Sequence, residues 1–312
     1  MRSGQWRKQG SIFRADGQHA WMATHAQVPL PHVLGDGRVR ILFGTRDAQG
    51  RTRTAWLDAD AADPSRVLEV GDEPALDLGA RGAFDDSGAM PSCLVQRDDG
   101  LYLFYVGWQR AVSVPYHTSI GLAVSHDDGR SFTRVYDGPV LDRGPHEPFF
   151  VTMPFVRVED GRWRMWFSSG TAWLGDPPNP VYVIKHVDSA DGVHWSGDPV
   201  PCIVPRSDEE AATRPWVVRD GDGYRMWFCF RGAHAFRDDV RESYRIGMAE
   251  SPDGIQWTRR DDDAGIARSD SGWDSDMVAY PALYEHAGIT HLLYNGNGFG
   301  VSGMGHAIAQ PA

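Results

Sequence analysis

Acidic, basic and hydroxyl side chains recur in this 312-residue chain just ahead of five prolines, Pro29, Pro91, Pro154, Pro215 and Pro281. The first set is Thr24, His25 and Gln27, the second Asp85, Asp86 and Ser87, and the third His146 and Glu147. Glu209, Glu210, Thr213 and Arg214 make the fourth, Asp274 and Asp276 the fifth. One protonated and one ionised carboxyl can together cleave a glycosidic bond through an oxocarbenium-like transition state. Glu147, Asp86, Asp276 and Glu210 are the candidate catalytic acids for that chemistry. Any one of them alone is more often a turn or capping residue on a solvated rim. Their shared register is what singles out the set.

A second group follows one apolar run later: Arg46, Trp108, Ser168, Ser169, Arg231 and Asn295. Guanidinium and amide groups bond sugar hydroxyls or carboxylates, and an indole stacks on a pyranose face. Arg46, Trp108, Arg231 and Asn295, with His25, His146 and Arg214, form the candidate substrate-binding set, and the three arginines favour an anionic sugar. The same side chains also serve as hydrogen-bonded ties between neighbouring units. His25, His117, His146 and His306 are candidate ligands for a divalent metal ion, with no HxxxH or HxH spacing among them. No other cofactor is implied. The glycine-rich run from Asn295 to Gly305 lacks the Lys-Ser/Thr of a phosphate-binding loop and reads as a strand–loop–strand connection.

The elements that must position these groups repeat along the chain. The five prolines are separated by 62, 63, 61 and 66 residues, and each opens a short apolar run. An Asp/Gly turn leads into a second run, whose aromatic is Phe104, Phe167, Phe228 or Tyr294 in the last four copies and Phe43 in the first. Short runs rich in aromatic and β-branched residues, separated by Gly/Asp turns, predict antiparallel strands. Copies two to four close on Ser125–Phe132, Ser189–Trp195 and Ser251–Trp257, turns in which Ser and Asp bond the backbone and Gly supplies a positive φ. A four-stranded unit of about 60 residues has the size of a propeller blade. The last copy lacks a fourth strand, which Trp6–Phe13 can supply. The expected fold is therefore all-β, a single five-bladed β-propeller domain over 1–312, with four-stranded blades and a ring closed by the N-terminal strand. Three polar insertions, 110–117, 174–180 and 233–242, are expected to gather at one mouth of the channel.

A formal charge of −11 leaves no basic patch for nucleic acid, and no apolar stretch is long enough for a membrane span. Three sparse cysteines and the absence of a secretory leader pattern suit a reducing, cytoplasmic setting. Oligomeric state is not encoded in any feature of the sequence.

Five blades with Ser-x-Asp-Gly-type turns and a closing N-terminal strand resemble the glycoside hydrolase superfamily of families 32, 43, 68, 117 and 130. That resemblance implies a sugar at the channel mouth and carboxylates carried by the innermost strands. It also implies a general acid in the third blade, Glu147 here; Asp86 and Asp276 are the candidates for base or nucleophile, with Glu210 in reserve. The family-43 pattern has Asp directly before the first proline, where this chain has Val28; the later copies have Met90, Met153, Arg214 and Tyr280. The family-32 signature Trp-Met-Asn-Asp-Pro-Asn-Gly is absent, although Trp21 and Met22 precede the first strand. The leading expectation is a carbohydrate-active enzyme acting on a glycosidic bond, by hydrolysis, phosphorolysis or transfer, on a small-molecule or oligosaccharide substrate. One alternative is a non-hydrolytic lyase, cyclase or isomerase using His and acids in the same channel. The other is a non-catalytic sugar-binding propeller, which would carry five similar sites.

Overall fold

The protein is described by a computed structural model covering residues 5–310. It is almost entirely β. After β1 (Trp6–Phe13), the first repeat forms β2 (Thr24–Val33), β3 (Arg38–Arg46), β4 (Thr52–Asp60) and β5 (Val67–Val70). The second forms β6 (Gly88–Arg97), β7 (Gly100–Arg110), β8 (Tyr116–Ser125) and β9 (Thr133–Arg134). The third gives β10 (Val151–Glu159), β11 (Arg162–Leu174), β12 (Asn179–Ser189) and β13 (Trp195–Ile203). The fourth gives β14 (Glu210–Asp220), β15 (Gly223–Gly232), β16 (Arg245–Ser251) and β17 (Thr258–Arg259). The last has β18 (Ala279–His286), β19 (Ile289–Asn295) and β20 (Met304–Ala309). No helix among the described residues is long and apolar enough to cross a membrane.

β10–β13 and β14–β17 are four-stranded antiparallel sheets in chain order, and a third sheet has the order β1-β20-β19-β18. β2–β9 make one eight-stranded sheet, in which β4 and β6 are joined only by the pairing of Thr52 with Gly88. The Ser-x-Asp-Gly turns form as their chemistry requires. Ser125, Ser189 and Ser251 accept the N–H groups of Gly129, Gly192 and Gly254 through Oγ. Trp195, at the end of one such turn, packs edge-on against Phe104 of the preceding repeat at 6.0 Å.

β1 joins the last sheet antiparallel to β20, with Trp6 opposite Ala309 and Phe13 opposite Met304. Trp6 packs edge-on against Trp227 of the preceding repeat at 6.1 Å, as Trp195 does against Phe104. A cation stands two residues beyond the aromatic in three last strands, and each reaches an acid at or ahead of the start of the inner strand of its own sheet. Arg134 pairs with Asp85 at 2.7 Å, Arg259 with Glu210 at 2.6 Å, and Lys8 with Asp274 at 2.5 Å. The third repeat has Gly197 at that position, and Lys185 of β12 pairs with Glu147 at 2.8 Å instead.

All five inner strands, β2, β6, β10, β14 and β18, lose register at or beside the proline, which has no N–H for the ladder. Just before four of those prolines, Val28, Met153, Arg214 and Tyr280 take φ of 55°, 49°, 57° and 56°. Non-glycine residues rarely adopt this region, a β-branched valine least of all. Such a bulge re-aims a side chain out of the regular alternation. Val28, Met90, Met153 and Tyr280 accordingly meet in an apolar cluster separate from the main core.

One buried polar contact lies within the last sheet. His291 Nδ1 and His306 Nε2 are 2.8 Å apart, with the two ring planes nearly parallel and their centres 5.0 Å apart, and Tyr284 stacks on His291 at 4.5 Å. Burial, reinforced for His291 by His286 and for His306 by His291, lowers both to about 4.

Two outcomes follow for stability. Lys8→Met leaves Asp274 buried without its cation and should cost roughly 2–3 kcal/mol in urea unfolding, less than a fully buried pair because Lys8 is partly exposed. Lys8→Met with Asp274→Asn should lose less than the sum of the two single losses; additive losses would mean that the pair is not coupled. For the histidines, the folded values lie below the unfolded value of 6.5, so the unfolded chain takes up protons first. Their contribution is intact above about pH 6.5 and is lost as pH falls toward 4, by at most about 1.4 kcal/mol per pH unit for each ring. Thermal midpoints of a His291→Leu/His306→Leu variant should fall less steeply over that window than those of the parent chain.

Candidate functional site

Strand ends and loops from all five repeats converge on one cavity of about 280 Å³. Gln27 and Arg46 come from the first repeat, Met90, Trp108 and Tyr116 from the second, and Thr152, Met153 and Tyr182 from the third. The fourth supplies Thr213, Phe236, Arg237 and Tyr244, and the fifth Tyr280 and Phe299. The residues swung inward by the inner-strand bulges therefore reach the cavity at Met153 and Tyr280, beside Met90. The volume sits near the lower end of the roughly 300–1,000 Å³ usual for ligand pockets, which suits a single ring and its substituents.

A belt of aromatic side chains runs along and behind the wall. Trp108 meets Tyr116 at 6.4 Å, Tyr116 meets Trp173 at 5.2 Å, and Trp173 meets Phe150 at 5.2 Å. Phe150 contacts Tyr182 at 6.2 Å, and the hydroxyl of Tyr182 is hydrogen-bonded to that of Tyr244. Tyr244 then meets Tyr280 at 5.8 Å and Phe299 at 5.9 Å. Gly88 is required beneath Trp108, because a Cβ there would run into the indole. Burial raises Tyr116 to about 12 and moves Tyr244 and Tyr280 further up, so these phenols keep their protons and can donate hydrogen bonds.

Arginines supply the charge. Arg231 is buried under the belt, donating through Nε and Nη2 to the Tyr182 hydroxyl at 3.2 and 3.0 Å and through Nη2 to the Pro180 carbonyl. Its guanidinium lies 3.6 Å from the centre of the Phe236 ring, and it has no carboxylate partner among the described residues. Arg46 lines the cavity with its Nε buried and unbonded, and its guanidinium makes no ion pair among the described residues. Burial lowers its pKa, Tyr280 and Tyr116 oppose that, and Arg237 adds to it; a guanidinium stays charged throughout. Arg237 lies over the Phe236 and Phe299 rings at 4.6 and 5.3 Å. Arg214 is wholly buried, with Nη1 on the carbonyl and hydroxyl oxygens of Ser92 at 2.7 and 3.0 Å and with Nε and Nη2 unbonded.

The four candidate acids do not line this cavity. Glu147 is buried with one oxygen on Lys185 and the other accepting from the Ser169 hydroxyl. Glu210 is held by both terminal nitrogens of Arg259 and accepts the Arg206 N–H. Asp86 folds back on its own turn, accepting from the Gly82 N–H and the Ser87 hydroxyl. Asp276 is exposed and borders a separate surface hollow. The structure brings together Arg46 and Trp108 at the cavity wall, with Arg231 directly behind it. Asn295 is instead a clasp between the first and last repeats: its Oδ1 accepts the Val28 N–H at 2.7 Å, and its Nδ2 donates to the carbonyls of Ala26 and Gly303.

The four candidate metal-binding histidines are dispersed. His146 is exposed beside Asp198 at 3.0 Å, and His306 is packed on His291. His25 rests on the Thr24 hydroxyl, its pKa lowered to about 4 by burial and then by Arg46. His117 stands apart, lowered by burial and by Arg143. No group of three or more His, Cys, Asp or Glu side chains that could hold a metal occurs among the described residues.

Sequence reasoning did not single out Tyr116, Tyr182, Tyr244, Phe236, Arg237 or Phe299. The available signal was the three insertions, each of which contributes to the wall: Tyr116 from the first, Pro180 from the second, Phe236 and Arg237 from the third.

No protein-family model matches the chain. Among solved structures, a glycoside hydrolase superposes with a TM-score of 0.74 at 16% identity, over 99% of this chain and 93% of the other. A glycosyl hydrolase from Bacteroides ovatus gives 0.72 at 15% identity over 99% and 94%, and a thermostable family-43 glycoside hydrolase gives 0.64 at 15% over 92% and 88%. The fold is thus that of the glycoside hydrolase β-propellers. Two proteins from strains of Mycobacterium tuberculosis, uncharacterized protein Rv1502 and uncharacterized protein MT1551, are each 39% identical over 306 residues, spanning 98% of this chain and 99% of the relative. Identity at that level over nearly the whole of both chains places this protein in the same family as Rv1502.

Proposed function

We propose that this protein is a carbohydrate-active enzyme that holds one saccharide unit in the central cavity. The cavity opens at the mouth of a five-bladed propeller, in which β1 serves as the fourth strand of the last blade. Five repeats at one period support the blade count, as does the near-separation of β2–β5 from β6–β9. Lys8, standing where Arg134 and Arg259 stand, supports the role given to β1. The observation that carries the functional reading is a single cavity to which all five repeats contribute, each with different side chains. A lectin-like propeller would carry five similar sites instead.

On the reaction, cleavage by two carboxylates has the fold in its favour, with Glu147 as acid and Asp86 or Asp276 as its partner. The cavity lining favours the non-hydrolytic reading. It presents phenol hydroxyls, guanidinium groups and an indole, and no Asp or Glu among the described residues. Such groups hold and polarise a sugar by donating hydrogen bonds, an electrostatic role that a lyase, cyclase or isomerase can use.

Incubation with a panel of oligosaccharides and glycosides, followed by mass spectrometry, separates the two. Hydrolysis adds one water to the summed product mass, whereas elimination or isomerisation does not. Trp108→Ala should weaken saccharide binding at least tenfold by calorimetry while the melting temperature stays within a few degrees. Glu147→Gln and Asp86→Asn should each leave turnover within a few-fold; a thousand-fold loss in either would restore the carboxylate mechanism.

A further inference from the structure

We infer that the cavity selects an anionic saccharide, one bearing a carboxylate or a phosphate ester, and that Arg46 is the residue that reads the charge. The inference rests on the proposal that the cavity holds a sugar, and it names the class of sugar.

The chain is strongly acidic overall, yet among the described residues the charged side chains lining this cavity are both arginines, Arg46 and Arg237. Several partly and fully buried arginines are matched to acids: Arg40 to Asp58 at 2.7 Å, Arg134 to Asp85 and Arg259 to Glu210. Arg46, like the buried Arg214 and Arg231, has no acid beside it among the described residues. Its guanidinium faces the cavity with no hydrogen bond or ion pair to the protein among the described residues, and Nε is buried and bare. Arg237, on the neighbouring insertion, also has no carboxylate partner among them, and Arg214, next in the chain to the lining residue Thr213, has none either.

A partly buried cation with no counter-charge beside it is poorly compensated, and an arginine fork is the side chain best shaped to take a carboxylate or phosphate by two parallel bonds. Tyr116 and Tyr280 flank Arg46 and keep their protons, so they add donors and no competing negative charge. A neutral sugar would leave the guanidinium without its counter-charge, whereas an acidic one satisfies it and still stacks its ring on Trp108. Arg231 has a different part: it fixes the Tyr182 hydroxyl from behind.

The test is calorimetric titration of the full chain with glucose, glucuronate, glucose 6-phosphate, acetate and inorganic phosphate, in low and high salt. At least one of the two anionic sugars should bind tenfold or more tightly than glucose, weakening as salt rises; the winner tells a carboxylate site from a phosphate site. Arg46→Gln should abolish that preference, lowering affinity for the favoured anionic sugar at least tenfold. Arg46→Lys, which keeps the charge but loses the fork, should retain part of it. Equal affinity for glucose and both acidic sugars, or a preference unaltered in Arg46→Gln, would overturn the inference and leave the saccharide reading standing. Binding of acetate or phosphate as tightly as the sugars would overturn the saccharide reading itself. No binding of any of the five would overturn both.

Discussion

The interruption of each inner strand at its proline is the constraint on which the rest of this structure depends. A strand that kept strict alternation would present every second side chain to one face and would bring none of them together off the sheet. By breaking the ladder, the prolines let the preceding residues take left-handed backbone at Val28, Met153, Arg214 and Tyr280. Such conformations cost about 1–3 kcal/mol each and persist only where the surroundings over-determine them. Here the surroundings are specific: Asn295 grips the Val28 N–H, Ser168 accepts from the Arg214 N–H, and Cys229 Sγ accepts from that of Tyr280. The strain is thereby held in the inner rim, where it shapes the cavity. Each strand keeps its pairing on either side of the break, so the residue before each proline can change identity without disturbing the sheet behind it. Val, Met, Met, Arg and Tyr at five equivalent positions are what such freedom would leave in a sequence.

The acids were legible as a set because they stand just ahead of the prolines, but their role was not. Asp85, Glu210 and Asp274 stand six, five and seven residues ahead of their prolines, and each ties the start of an inner strand to a cation on the last strand of its sheet. That cation lies about fifty residues away in two cases, and in the third at the far end of the sequence. A pairing over such distances leaves one local pattern, an aromatic followed two residues later by Arg or Lys at Phe132, Trp257 and Trp6. The same spacing is missing after Trp195, and there Lys185 takes over from the adjacent strand.

Repeat architecture was the easier part to read, since turn glycines, prolines and core aromatics each report on their own few residues. Arg46 and Trp108 were legible for the same reason, as strand-end residues at fixed places in the repeat. Tyr116, Phe236 and Arg237 were not, because they sit on insertions whose lengths differ and whose course depends on what they pack against. Asn295 shows the converse limit. Its type suited a ligand amide, yet both of its donor hydrogens are spent on carbonyls of the protein, a fact that only the fold reveals.

The pairing of β1 with β20 has a consequence for how the molecule comes into being. Trp6 leaves the ribosome long before its partner, Ala309, and must wait while every other strand is made. Until the two meet, β20 has nothing on one side, and an open strand edge is an invitation to a neighbouring molecule. Contacts of such long sequence separation also form slowly, because the chain entropy between their ends is lost before they return anything. The segments most exposed to error during synthesis are therefore β1 and the edge of β20 that it covers. In a cell making this protein at high concentration, that edge is where strand exchange between copies would start.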